Sequence, residues 1–68
     1  MEPTQTALIP VAQGNEDIEV IVLIDVLRRG GLKVVVASLD DQEVVTLMKG
    51  TRLVVDAAFQ SVIDQPWD

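Results

Sequence analysis

Residues 7–39, ALIPVAQGNEDIEVIVLIDVLRRGGLKVVVASL, decide the fold of this chain. The runs at 7–12 and 33–39 are short, apolar and bounded by turn-forming residues, which predicts two β-strands. Between them, Asn15 is a suitable N-cap and a Gly-Gly pair follows the last periodic residue, so we expect a helix over 16–29. A strand, a helix and a strand in this order form a βαβ unit, in which the two strands are parallel.

The second half of the chain predicts shorter elements. Residues 44–48 and 52–55 have the pattern of two strands in a hairpin that bends at Gly50. Residues 57–63 are expected to form a helical turn. The Asp-Asp-Gln run at 40–42 is interpreted as a solvated turn, because two acids without further ligands are a weak magnesium signature. We expect no metal site in the chain.

Composition excludes several classes of function. The 68 residues contain no Cys and no His, so a disulfide, a Cys/His zinc site and a Ser-His-Asp triad within this chain are impossible. A net charge of −6 disfavours nucleic acid, which needs clustered Lys and Arg. The longest proline-free apolar run, at 20–24, is far shorter than the ~20 residues of a membrane span. We therefore expect a cytoplasmic protein without nucleic-acid or membrane partners.

The apolar surface exceeds what the chain can bury by itself. Both predicted strands are continuous apolar runs, the pattern of strands that are covered on both faces. The predicted helix is apolar around nearly its whole circumference, which indicates burial on more than one side. A single helix cannot supply both covers. We therefore expect residues 1–68 to be part of a larger fold, completed by a C-terminal remainder that could be a separate cleaved chain. The alternative is a stand-alone small domain with a very large dimer interface.

Glu19 is the position that fits least well in an ordinary surface helix. Val22, Leu23 and Val26 follow it at i+3, i+4 and i+7 and share its side of the helix. We expect Glu19 to be partly buried, and a buried carboxylic acid tends to keep its proton and can act as a general acid. The alternative is that Glu19 only decorates the helix N-terminus, where acids are common.

The other acids of the predicted helix are expected to have no catalytic role of this kind. Glu16 and Asp17 are expected in an exposed first turn, where negative charge suits the helix dipole. Asp25 is expected to face solvent or an interface and to pair with a basic residue.

The run at 7–38 resembles the N-terminal strand–helix–strand of the ThiJ/PfpI superfamily, closest to the protein deglycase branch that contains Parkinson disease protein 7. The shared features are G-x-E-[ED]-x-E at 14–19, IDVLRRGG at 24–31 and KVVVAS at 33–38, and the hairpin and chain end continue the likeness. The resemblance implies an α/β fold, namely the N-terminal part of a flavodoxin-like (class I glutamine amidotransferase-like) three-layer sandwich with a mainly parallel sheet. Residues 1–68 would be the N-terminal portion of one such domain.

The resemblance also implies a function. It places Glu19 on the family's protonated glutamate, which hydrogen-bonds a catalytic cysteine and shuttles protons, with Glu16 and Gly14 at the substrate pocket. That cysteine would lie in the remainder. The family resembles glyoxalases and protein deglycases that act on methylglyoxal-type aldehydes without a cofactor, in defence against oxidative stress. The alternatives are a non-catalytic redox-sensing or chaperone-like dimer of the same family and a small interaction module.

A homodimer is the last implication. In the family, the first helix and the hairpin form the interface, which makes Ile18, Asp25 and Arg29 candidate interface residues. Residues 48–50 are Met-Lys-Gly, where close relatives have a Ser-Arg or similar pair. A specific interface salt bridge at that point is therefore not carried over.

Overall fold

The computed structural model describes residues 5–67 and begins with the βαβ unit that the sequence predicts. Strand β1 (Thr6–Val11) leads through a short loop into helix α1 (Asp17–Arg29), which returns the chain to strand β2 (Lys33–Ser38). β1 and β2 pair in parallel, with Ile9 opposite Val36. The predicted strands and helix are confirmed to within one residue at each end.

The hairpin follows as a separate two-stranded sheet. Strand β3 (Val44–Thr46) and strand β4 (Arg52–Val54) pair antiparallel, as predicted, although both are shorter than the sequence indicates. Gly50, in the connecting turn, has φ +93°, a conformation that costs a residue with a Cβ about 1–2 kcal/mol. Glycine is therefore the residue that allows this tight bend.

A third parallel strand is the feature that the sequence did not predict. The segment 57–63 was expected to be helical, but only its second part is, as α2 (Phe59–Val62); the first part is strand β5 (Ala57–Ala58). β5 pairs with β2 on the side away from β1, giving the order β1-β2-β5. The pairing is prepared by Asp56, whose amide donates to the Val36 carbonyl at 2.8 Å and whose Oδ2 accepts from the Val36 amide at 2.9 Å.

The core lies between the parallel sheet, one side of α1 and the hairpin. α1 contributes Ile24 to it, and Val20 and Leu27, one turn to either side, pack at its edge. This spacing of i, i+4 and i+7 places the three side chains on one face of the helix. The buried apolar core comprises Ile9, Val11, Ile24, Val34, Val36, Val45 and Leu47.

The other sides of α1 remain uncovered by residues 5–67. The exposed large side chains of the helix are Ile18 (70%), Ile21 (42%), Val22 (50%), Leu23 (48%) and Val26 (57%). The expectation that one helix face covers the sheet while further apolar surface is left over is confirmed. We call these five residues the open face of α1. Contiguous exposed apolar patches of this kind mark interaction surfaces or promote association.

We predict that the 68-residue chain by itself associates or aggregates. Burying the open face removes apolar surface from water, at about 25 cal/mol per Å². Size-exclusion chromatography with light scattering should give a mass above that of the monomer. The double variant Val22→Lys/Val26→Lys should move the protein towards monomer. Adding the same two charges at Gln60 and Gln65, which are exposed and polar, should not. A monodisperse wild-type monomer at about 100 µM, well inside the range in which exposed apolar surface drives aggregation, would contradict this expectation.

Candidate functional site

The loop between β1 and α1 is held along one side by the hairpin. The Gly14 amide donates to the Thr46 carbonyl at 2.9 Å, and the Met48 amide donates to the Asn15 carbonyl at 2.8 Å. The Gln13 side chain extends the contact, because its Oε1 accepts from the Thr46 amide at 2.8 Å. Gly14 has φ +85°. This loop follows the carboxyl end of a parallel strand, the edge at which open α/β sheets bind ligands.

Glu16, and not Asn15, is the N-cap of α1. Its Oε2 accepts a hydrogen bond of 2.7 Å from the Glu19 amide. The expectation for Asn15 was wrong because its side chain is already engaged within the loop, where Oδ1 accepts from the Ala12 amide at 2.9 Å. Glu16 is therefore hydrogen-bonded to the backbone amide of Glu19, and its own side chain is only partly exposed.

Glu19 is exposed in the described structure, so the expectation of partial burial is wrong for this chain. The reason is which side of α1 faces the sheet. The buried face passes through Val20 and Ile24, whereas Glu19 lies on the side of Val22 and Leu23, which are themselves about half exposed. The apolar surroundings predicted for Glu19 are present, but residues 5–67 do not cover them. Within these residues, no side chain or amide donates a hydrogen bond to the Glu19 carboxylate.

Asp17 is the buried acid of the helix, with 8% of its surface exposed. The sequence predicted an exposed first-turn acid, and this was wrong. Its Oδ1 accepts from the Lys49 amide at 2.7 Å and its Oδ2 from the Thr51 amide at 3.3 Å. The carboxylate thus binds both sides of the turn at Gly50. A negative charge at this position also suits the N-terminal end of the helix dipole.

The hydrogen bonds lower the pKa of Asp17 below its usual value of 3.8. The largest contribution is the hydrogen bond from the Thr51 hydroxyl, and the amides of Lys49 and Thr51 add to it; burial acts in the opposite direction. Donors that bind the ionised form stabilise it. Because its pKa is lower in the folded state, Asp17 stabilises the fold at pH values above the pKa that it has in the unfolded chain. This stabilisation is lost as the pH falls through the pKa of the folded state.

A second polar cluster lies at the carboxyl end of β2. The buried Ser38 hydroxyl donates to Asp40 Oδ1 at 2.7 Å and accepts from the Gln42 amide at 3.0 Å. The Ser38 hydrogen bond, followed by one from the Gln13 side chain, lowers the pKa of Asp40. The predicted exposed turn at 40–42 is confirmed, and the Ser38 hydroxyl holds it to the end of β2. Among residues 5–67, no group of three or more acidic, His or Cys side chains could hold a metal ion.

The three candidate interface residues lie along one face of α1. Asp25 and Arg29 follow Ile18 by seven and eleven positions, which at ~100° per residue brings all three to one side. The Arg29 Nε atom lies 2.9 Å from Asp25 Oδ1, and both side chains are more than half exposed. The expected pairing of Asp25 with a basic residue is therefore confirmed.

Within the described residues, no helix has the length and hydrophobicity to cross a membrane.

The parallel order β1-β2-β5 with α1 between the first two strands is the N-terminal part of a flavodoxin-like α/β fold. The chain matches the DJ-1/PfpI family over residues 5–68, and it belongs to that family. It is 45% identical over 65 residues to Protein DJ-1 homolog B of Arabidopsis thaliana, and the match covers 96% of this chain. This confirms the resemblance found in the sequence.

Solved structures agree with this assignment. The chain superposes on Drosophila melanogaster DJ-1beta with a TM-score of 0.91 and 34% identity, over 96% of its length. It superposes on oxidized Toxoplasma gondii DJ-1 with a TM-score of 0.90 and 38% identity, over 94% of its length. The chain spans only 15% of the plant protein and 35% of each of the two solved chains.

We predict that the Asp17 carboxyl group titrates below 3.8, its usual value, when it is followed by carbonyl ¹³C chemical shift. In Thr51→Val the midpoint should rise towards that value, because the largest stabilising hydrogen bond is removed. In Thr46→Val, a matched change at an exposed position of the same hairpin, it should stay where it is. A wild-type midpoint at or above the usual value would show that the contacts with the turn do not form.

Proposed function

We propose that this chain supplies the acid/base residue of a cysteine-dependent glyoxalase or protein deglycase that acts on methylglyoxal-type aldehydes. Glu19 is that residue, Glu16 and Gly14 lie at the substrate pocket, and the cysteine belongs to a C-terminal remainder of the same domain. The observation that carries the proposal is a carboxylate without a partner among residues 5–67, set in an apolar surface just beyond a parallel strand, in a member of the DJ-1/PfpI family. The cytoplasmic location expected from the sequence is part of this proposal.

The chemistry needs a thiolate and one group that moves protons. The thiolate sulfur bonds to the aldehyde carbon, and the carbonyl oxygen takes a proton to give a hemithioacetal. A base then removes the proton from that carbon and returns it to the neighbouring carbon, which leaves a thioester. Water cleaves the thioester to lactate and frees the thiol. The sum is methylglyoxal plus water giving lactate, so no external oxidant or cofactor is required. Glu19 would donate and accept these protons.

The proposal requires that the remainder covers Glu19, because a carboxylic acid keeps its proton most readily in an apolar site. The Thr6 hydroxyl donates to the Pro66 carbonyl at 3.4 Å, so the end of the described chain lies beside the start of β1. Trp67 fixes this end through a 2.9 Å hydrogen bond from Nε1 to the Val62 carbonyl. A continuing chain would therefore begin at the amino end of β1, and it would have to run the length of that strand to reach Glu19, which follows its carboxyl end.

We expect Glu19→Gln to lower kcat for lactate formation from methylglyoxal by at least about 100-fold in the complete protein, the usual range for a general acid/base. The amide keeps the shape of the side chain but cannot transfer the proton. Glu43→Gln is the matched control, because Glu43 is exposed and lies before β3, and it should leave turnover unchanged. Equal turnover by wild type and Glu19→Gln would remove Glu19 from the mechanism.

We also propose that the complete protein is a homodimer formed through α1, with Ile18, Asp25 and Arg29 at the interface. The support is the 70% exposure of Ile18, together with a cavity of about 430 Å³ between α1 and β4 that could accept side chains of a second copy. Of the three candidate interface residues, Asp25 lines this cavity.

We predict that Ile18→Glu raises the dimer dissociation constant of the complete protein about tenfold or more, equivalent to ~1.4 kcal/mol. Sedimentation equilibrium measures it, and Gln60→Glu adds the same charge at an exposed site on α2 as a control. An unchanged constant in Ile18→Glu, or a monomeric wild type, would refute this interface.

A non-catalytic, redox-sensing or chaperone-like dimer is the second candidate. The observation that favours a redox role is that the Toxoplasma relative was solved in an oxidized form. The kinetic comparison above separates the two. A wild-type protein that does not turn over methylglyoxal but suppresses the aggregation of an unfolded protein would favour the second candidate.

A further inference from the structure

Every backbone amide from Leu47 to Thr51 in the hairpin turn is hydrogen-bonded. Those of Leu47 and Gly50 bond within the turn, to the carbonyls of Thr51 and Leu47. The other three bond outward to one target, the β1–α1 junction: Met48 to the Asn15 carbonyl, and Lys49 and Thr51 to the Asp17 carboxylate. Three of the five amides of the hairpin turn therefore bind the start of α1 and the loop before it.

Asp17 is the only charged side chain among residues 5–67 that is buried, and its partners lie 32 and 34 positions further along the chain. Burying an ionised carboxylate is costly unless donors surround it. Here the amides of Lys49 and Thr51 do so. Such a satisfied, long-range contact restrains the first helical turn in both rotation and translation.

Glu19 lies within the same helical turn. Its amide is bound by the Glu16 cap at 2.7 Å, and it is two residues from Asp17. At ~100° per residue, a small rotation of the first turn would swing the Glu19 carboxylate across the open face. The backbone at position 19 is therefore fixed from two sides, by the cap and by the hairpin.

We propose that Asp17 is a positioning residue: by binding the Lys49 and Thr51 amides of the hairpin turn, it sets the direction in which Glu19 presents its carboxylate. The proposal rests on the acid/base role proposed for Glu19, and it extends that role to the hairpin. The hairpin then serves as a support for the site as well as a surface element.

Two substitutions test this contact from opposite ends. Asp17→Asn keeps one oxygen acceptor but places an NH₂ group opposite an amide donor. Thr51→Val removes the hydroxyl and leaves the carboxylate intact. Asp64→Asn and Thr46→Val are the matched controls, both at exposed positions. In ¹⁵N-correlated spectra of the complete protein, both test variants should shift and weaken the hydrogen-exchange protection of the Glu19 amide, and neither control should.

The kinetic arm is a double-mutant cycle with methylglyoxal as substrate. Asp17→Asn should lower kcat about tenfold with KM within about twofold, since sub-ångström misplacement of a catalytic group reduces turnover strongly. In the Glu19→Gln background, Asp17→Asn should have no further effect. A merely structural role would lower kcat by the same factor in both backgrounds, and this result would overturn the proposal. Thr51→Val replaces Asp17→Asn in the cycle if the latter does not fold.

The two proposals fail in distinguishable ways. If Glu19→Gln by itself leaves turnover unchanged, the catalytic role of Glu19 is wrong, and the amide measurement alone decides whether Asp17 positions that residue. A Glu19 amide that is unchanged in both Asp17→Asn and Thr51→Val would overturn the positioning role whatever the kinetics show.

Discussion

The unequal covering of α1 is the constraint on which the rest of this structure depends. One face of the helix packs on the parallel sheet through Ile24, Val20 and Leu27, while the open face has no cover among residues 5–67. A helix that is apolar on several sides belongs in an interior. The short coverage of the relatives fits this, since the chain spans 35% of two solved members of its family. The open face and the exposure of Glu19 thus have the same cause.

The hydrogen bonds of Asp17 connect this helix to the hairpin. Without them, the β1–α1 loop and the hairpin would meet mainly through the backbone contacts of Gly14 and Met48 and the Gln13 side chain. The buried carboxylate adds donors from Lys49 and Thr51 and so joins distant parts of the sequence at the end of β1. The site that we propose for aldehyde chemistry therefore depends on two supports, the sheet beneath α1 and the hairpin beside it.

The sequence predicted the elements whose signals are local. β1, α1, β2 and the hairpin all carry apolar runs, caps or a turn glycine within a few residues. It did not predict β5, because two alanines have no strand signature and their pairing depends on Asp56 and β2. The family was identifiable because G-x-E-[ED]-x-E, IDVLRRGG and KVVVAS occur together in the correct order.

The roles of the acids could not be ranked from spacing alone. The sequence favoured burial of Glu19 and exposure of Asp17, whereas the described structure has the reverse. Periodicity gives the direction of a side chain relative to its own helix, but not which direction the rest of the fold covers. For Asp17 that information lies 32 residues away, at Lys49. For Glu19 we place it in the C-terminal remainder, outside the described chain.

The most direct test of whether α1 lacks part of its cover is the native mass of the protein isolated from its own source. We expect the 7.4 kDa sequence to be continuous with, or tightly bound to, a further polypeptide of about 12–14 kDa, the balance of a domain of ordinary size. A folded, monomeric species that contains these residues and nothing else would contradict this expectation, because the open face of α1 would then have no occupant.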